Sequence, residues 1–370
     1  MKARLLFILV WCISLVGMAQ KGLIEYPGWQ VKPVYSKGFI LIHRATIGHL
    51  VKGYPDLYEF NLSKPTLGNK RWHQENNLPN IGITIHVMDF KNPVQLGYAF
   101  TASPYVEIPL KKEDKWWRLS MRMAWGASYL NKKFDIVSNS KNIAIGSHVN
   151  AFVQFRWFLT LHLNDYMTLE PSFSFTHYSN GHMYNPNLGL NVVSLGTGLN
   201  VLLPKARDVQ PVEPPATEPL RTCKKNELLF AFAYGLNQRG VADTLNPTRM
   251  VTITYHRRVR NTHTFIFGTD VFYDDLYRID YRYSMGRWPS FQEAFRVSVK
   301  AGYSYNIGNV SVPIEMGYYV YQKFNPDAVL VTRLGVRYFH PTGVSFMFGL
   351  RTHYAVAYNF ELGVGYRLPL

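Results

Sequence analysis

The chain has 370 residues, of which 47% are hydrophobic and 15% aromatic, and carries a formal net charge of +16 at pH 7. Beyond its first residues it holds no apolar run of the roughly 20 residues that a membrane-spanning helix needs, which excludes a helical membrane protein. Aromatic richness at a mean hydropathy of only -0.12 points instead to strands whose faces alternate between lipid and lumen, so that the averages cancel.

The cationic surplus seeks anions. With no basic helix and no aromatic-plus-basic RNA motif, phosphorylated lipid headgroups suit it better than nucleic acid. Residues 1–19 read as a secretory signal: Lys2 and Arg4 form the basic start, residues 5–16 the apolar run, and Gly17, Met18 and Ala19 a small-residue cleavage site. Export follows. Cys12 would leave with the signal, so Cys223 remains alone and no intramolecular disulfide is available.

From residue 20 to 204 the chain reads as a β-barrel unit of about eight segments with two-residue alternation. They lie near 38–45, 56–63, 80–89, 94–109, 116–129, 145–161, 165–179 and 189–203. In one of them Val149, Ala151, Val153, Phe155, Trp157, Leu159 and Leu161 oppose His148, Asn150, Gln154, Arg156 and Thr160. Residues 205–226, with Pro211, Pro214, Pro215 and Pro219, have the composition of a linker. A second β-strand unit, about eight further segments, fills 227–370 and ends with Phe360, Leu362, Val364, Tyr366 and Leu368 on one face. The expected class is all-β, an antiparallel transmembrane β-barrel. Either one barrel of 14 to 16 strands or an eight-strand barrel followed by a second β unit fits the pattern. A soluble sandwich would alternate too, but its apolar face would be aliphatic rather than bounded by Trp and Tyr girdles.

One stretch carries residues suited to chemistry. Met167, Leu169, Phe173, Phe175, His177 and Ser179 share a face, opposed by Thr168, Glu170, Ser172, Ser174, Thr176 and Tyr178. In the next segment Asn191, Val193, Leu195, Leu199 and Val201 share a face. A hairpin closed by residues 180–190 thus turns His177, Ser179 and Asn191 outward to lipid, where polar groups are costly unless they serve one another or a substrate. A serine hydroxyl becomes a nucleophile when an imidazole takes its proton, and the imidazole needs an orienting partner. The expected roles are Ser179 as nucleophile, His177 as base and Asn191 as orienter. Asn180, Gly181 and Asn187 belong to a loop that can present amide donors to an oxyanion.

His177-x-Ser179-Asn180, followed by Pro186-Asn187-x-Gly189-Leu190, resembles the signature of the PagL family of lipid A 3-O-deacylases. The resemblance implies an outer-membrane barrel of eight strands with its site in the last hairpin. It also implies hydrolysis of an ester-linked acyl chain of lipid A, with lipopolysaccharide as partner and neither metal nor cofactor. The family's third triad member is a Glu, where this chain has Asn191; residues from 226 onward have no counterpart in the short members. If the first strand starts in the periplasm, the turn between strands seven and eight lies outside, where lipid A is found. The competing expectation is a noncatalytic barrel, a small porin or adhesin, with Arg118, Arg122, Arg156 and Lys300 either lining an anion pore or plugging the lumen.

Other candidates read as structural. His182 is expected to be a solvated loop histidine. Thr352-His353-Tyr354 faintly echoes Thr176-His177-Tyr178, but His353 shares the polar face of Ser345, Gly349 and Arg351, and Ala355 stands where a serine would be needed. The second half is therefore expected to be noncatalytic. Asp270, Asp274 and Asp275 lack a regular Ca²⁺-ligand spacing and read as solvated loop acids. No Gly-rich phosphate loop, zinc spacing or dinucleotide fingerprint occurs.

Overall fold

The computed structural model describes residues 28–110, 117–164, 166–203, 226–241, 243–325, 328–354 and 356–370. The signal at 1–19, almost all of the linker at 205–226, both cysteines and Ala355 lie outside them. Strands of 10 to 16 residues form where alternation is strongest, and they close into two separate antiparallel barrels of eight strands each.

The first barrel comprises β1 (Gln30–Ile40), β2 (Asp56–Pro65), β3 (Asn80–Asp89), β4 (Tyr98–Pro109), β5 (Trp117–Leu130), β6 (Val149–Asn164), β7 (Met167–Ser179) and β8 (Leu190–Leu202), which pairs back onto β1. The second comprises β9 (Asn226–Gln238), β10 (Leu245–Arg260), β11 (His263–Asp274), β12 (Phe295–Ile307), β13 (Val310–Tyr321), β14 (Leu330–Phe339), β15 (Val344–His353) and β16 (Val356–Pro369), which closes on β9. A short helix α1 (Arg71–Glu75) follows β2, and α2 (Asp275–Met285) follows β11. Of the two architectures left open by the sequence, the single large barrel is therefore excluded. The first strand also starts earlier than the expected 38–45: Pro33 and Gly38 interrupt its apolar pattern, yet Gln30–Ile40 finds partners on both sides.

Each lumen is filled by paired charges. In the first barrel Lys32 Nζ donates to Glu107 and Glu170, both at 2.7 Å, while Glu59 sits between Arg122, at 3.3 Å, and Arg156. In the second, Lys300 meets Asp270 and Glu315 at 2.8 Å, and Arg333 reaches Glu361, Glu315 and Asp270 at 2.7, 3.0 and 3.1 Å. Such ions are tolerated out of water only as neutralised groups. Arg122, Arg156 and Lys300 therefore plug the interiors rather than line an anion pore.

The three aspartates are corrected by the same network. Asp270 and Asp274 are buried in the lumen, Asp274 bridging Arg296 and Arg351 at 2.9 Å each and accepting from the backbone amides that open α2. Asp275 pairs with Arg249 and Arg278. They are ion-pair partners, not free loop acids: β11 turns Asp270 and Asp274 inward, and Asp275 opens α2 beside Arg249 and Arg278.

The outer walls are apolar: Ile81, Ile83 and Ile85 of β3, Phe230 and Phe232 of β9, and Leu362 and Val364 of β16 all stand exposed. An exposed band of this kind is the lipid-facing surface of a membrane barrel. At the end of the first barrel that bears the 180–189 loop, an apolar cluster of Ile47, Leu50, Met88, Phe90, Leu96, Leu130, Ile145 and Phe152 caps the lumen. The loop rests on that rigid lid.

The two barrels stand side by side. At the capped end Asn185 donates its backbone amide to Gln238 Oε1 (2.7 Å) and its side-chain amide to Gln238 O (2.8 Å), and Gln238 N donates to His182 O (3.1 Å). At the opposite end Tyr305 donates to Asn76 Oδ1 (2.6 Å), and Asn261 bonds Glu75.

Candidate active site

Antiparallel register builds the site. His177 of β7 lies directly across from Asn191 of β8, and Ser179 across from Ala151 of β6. Because side chains alternate along a strand, His177 and Ser179 share the outward face while Thr176 and Tyr178 turn inward. Tyr178 is wholly buried and bonds His86 Nε2 at 3.0 Å, which pins the strand to the lumen.

His177 Nδ1 donates to Asn191 Oδ1 at 2.6 Å. Asn191 Nδ2 in turn donates to His43 Nδ1 at 3.2 Å, and His43 Nε2 donates to the Leu188 carbonyl at 3.0 Å. His43 Nδ1 also lies 3.3 Å from the Leu41 carbonyl, so both of its ring nitrogens face carbonyl oxygens. Asn191 Oδ1 can only accept, so the proton of His177 sits on Nδ1 and leaves Nε2 unprotonated. That is the tautomer a general base requires.

His43 escapes a reading of the sequence. It lies just past β1, 148 positions from Asn191, and arrives only because β8 closes on β1. No local pattern announces it.

Ser179 is 4% exposed. No hydrogen bond joins its hydroxyl to His177 among the described residues, but both groups flank one point: a Cβ placed on Gly189 would lie 3.0 Å from His177 Cε1 and 3.6 Å from Ser179 Cβ. Gly189 also has φ +76°, so glycine is needed there on two counts. Gly181 of the same loop, at φ +63°, is a second such position, and the Phe360 ring of the second barrel occupies the space a side chain would take.

The loop residues divide their work. Asn180 spends its side chain on Ser147 Oγ (3.0 Å) and the Tyr184 carbonyl (2.8 Å), and its backbone amide on Asn187 Oδ1 (3.1 Å). It clamps the loop and has no amide left for an oxyanion. Asn187 differs, since its Nδ2 is buried without a protein partner. His182 is not the solvated residue expected. It is partly buried at φ +70°, its carbonyl bound to the second barrel and its Nδ1 unpartnered.

His177 and Ser179 look toward the second barrel. They line a cavity of about 620 Å³ between the two barrels, whose far wall is formed by Val312, Leu334, Val336, Phe348 and Leu350. The outward face was legible in the sequence; its cover was not, because the cover comes from the other barrel.

Two closed antiparallel barrels with apolar outer walls, one bearing an outward serine and histidine, define a membrane-barrel protein. The chain belongs to the PagL-type family: residues 56–200 match the model described as lipid A 3-O-deacylase (PagL), and residues 226–369 match that described as acyloxyacyl hydrolase, C-terminal domain. No curated protein matches the sequence. Among solved structures, the outer membrane enzyme PagL is similar at 14% identity and a TM-score of 0.33, covering 45% of this chain and 97% of that one. Neisserial surface protein A is similar at 7% identity and a TM-score of 0.31, covering 47% and 97%. A mutant Rh. blastica porin covers 92% and 100% at 8% identity and a TM-score of 0.18.

Proposed function

We propose that this chain is an outer-membrane serine esterase that removes an ester-linked acyl chain from lipid A. The observation that carries the reading is the His177–Asn191 hydrogen bond, which leaves the basic nitrogen of His177 free on the same face as Ser179.

Ser179 Oγ attacks the ester carbonyl carbon while His177 Nε2 takes its proton. The buried, unpartnered Nδ2 of Asn187 is suited to receive the oxygen that becomes negative. As the tetrahedral species collapses, the sugar oxygen leaves with the proton held by His177, and the acyl group stays on Ser179. Water, deprotonated by the same imidazole, then releases the fatty acid. Apo geometry that lacks the Ser–His hydrogen bond is compatible with this sequence, since such bonds tighten when substrate arrives.

Asn191 orients the imidazole but brings no negative charge to stabilise imidazolium. His43 offsets part of that loss by holding the amide in the productive direction. Filled lumens weigh against the alternative of a small porin.

The test is the mass spectrum of lipid A from cells expressing the wild type or Ser179→Ala. Loss of one acyl chain with the wild type alone is expected; unchanged lipid A in both would end the reading.

A further inference from the structure

The cavity at the site is partly open, and contacts between the barrels flank it at both ends. Its upper limit is the packing of Phe360 on Gly181, beside the Asn185–Gln238 hydrogen bonds. Its lower limit is α1, where Trp72 lies against the Gly308 turn between β12 and β13 and Asn76 accepts from Tyr305. Between them the lining is apolar except at the end holding His177 and Ser179.

The dimensions follow from the strands. Along β6 the lining runs from Ala151, beside Ser179, to Phe155, about 13 Å at 3.3 Å per residue. Across the wall it passes from β7 to β4, three strand spacings or about 14 Å. Diagonally this is a slot matching one extended fatty acyl chain, with a nucleophile at its head and a floor near Ile307 and Val310.

We infer that the second barrel is the acyl-chain subsite: the chain being cleaved lies between the barrels, and β13, β14 and β15 form the wall that fixes its path and limits its length. The inference rests on the esterase reading for the identity of the ester. Acyl tails in a leaflet are already out of water, so burial in the slot yields little hydrophobic gain. What the slot supplies is packing along the tail and a fixed approach of the ester carbonyl to Ser179. The floor also gives selectivity, because a tail too long for the slot cannot bring its carbonyl to the serine.

The experiment uses the full chain in nanodiscs. Ser179→Ala protein is mixed with a diazirine-tailed fatty acyl ester of glucosamine phosphate, irradiated, and mapped by peptide mass spectrometry. Labels concentrated on β13, β14 and β15 are expected, falling at least severalfold when Val336→Trp fills the slot and unchanged by Val251→Trp on the outer face of β10. Labels spread evenly around both barrels, β10 and β11 included, would overturn the inference. In parallel, otherwise wild-type protein carrying Val336→Trp should release shorter acyl chains than the unmodified enzyme. Slot-focused labelling without hydrolysis by any Ser179 protein would sink the esterase reading and leave the subsite standing. Hydrolysis with even labelling would do the reverse.

Discussion

Thr176-His177-Tyr178 stands near the end of strand seven of the first barrel and Thr352-His353 at the end of strand seven of the second, followed by Tyr354, and the two histidines face opposite ways. In the first, Thr176 and Tyr178 point into the lumen and His177 points out toward Asn191. In the second, His353 points in, its Nε2 3.0 Å from Tyr319 Oη and its ring against Tyr358. Because side chains on a strand repeat every two residues, one step of parity moves an imidazole from the membrane wall to the core. The second barrel has the same eight-strand architecture as the first, its histidine serves packing, and its outer wall faces the cavity that His177 and Ser179 line.

Replacing the two histidines is the sharpest way to break this comparison. His177→Ala should lower ester hydrolysis by about 10²- to 10⁴-fold, the usual worth of a general base. His353→Ala should leave hydrolysis unchanged and lower only the unfolding midpoint. A comparable loss of activity in both would mean that the parity argument is wrong.

The lumens offer a second contrast, read by urea unfolding in detergent. Among the described residues Glu59 is the carboxylate paired with both Arg122 and Arg156, so Glu59→Ala strands two buried cations and should cost about 3–5 kcal/mol. Asp270→Ala should cost less, since Glu315 and Glu361 still face Lys300 and Arg333. Equal costs would show that the two networks are equally redundant.

The smallest effects concern the orienting chain. Asn191→Glu should raise kcat by supplying the charge that imidazolium lacks, and His43→Ala should lower it about tenfold, some 1.4 kcal/mol, by freeing the amide to flip. Steady-state kinetics on an ester in detergent would separate these from binding. An inert His43→Ala variant, with kcat equal to wild type, would remove His43 from the mechanism.

Much of this molecule is written in short-range order. Alternation over β5, β6, β7 and β12 gave strands, their faces and a membrane-type wall. The spacing of His177, Ser179 and Asn191 put all three on one face, because a two-residue period leaves no other choice. The first strand was harder: Pro33 and Gly38 break its apolar rhythm, and only pairing on both sides reveals it.

What tertiary structure alone decided is closure. Backbone hydrogen bonds are the same for every pair of strands, so nothing local says that β8 returns to β1 rather than continuing to β9. That return makes two barrels of eight, carries His43 to Asn191, and frees the second barrel to stand against the first. The fate of the buried ions followed from it too: Asp270 and Asp274 look like loop acids in the sequence and become lumen partners of lysine and arginine once the sheet curls around them. Side-chain parity is a property of one strand, readable from neighbours two residues away; which edges meet is a property of the whole chain.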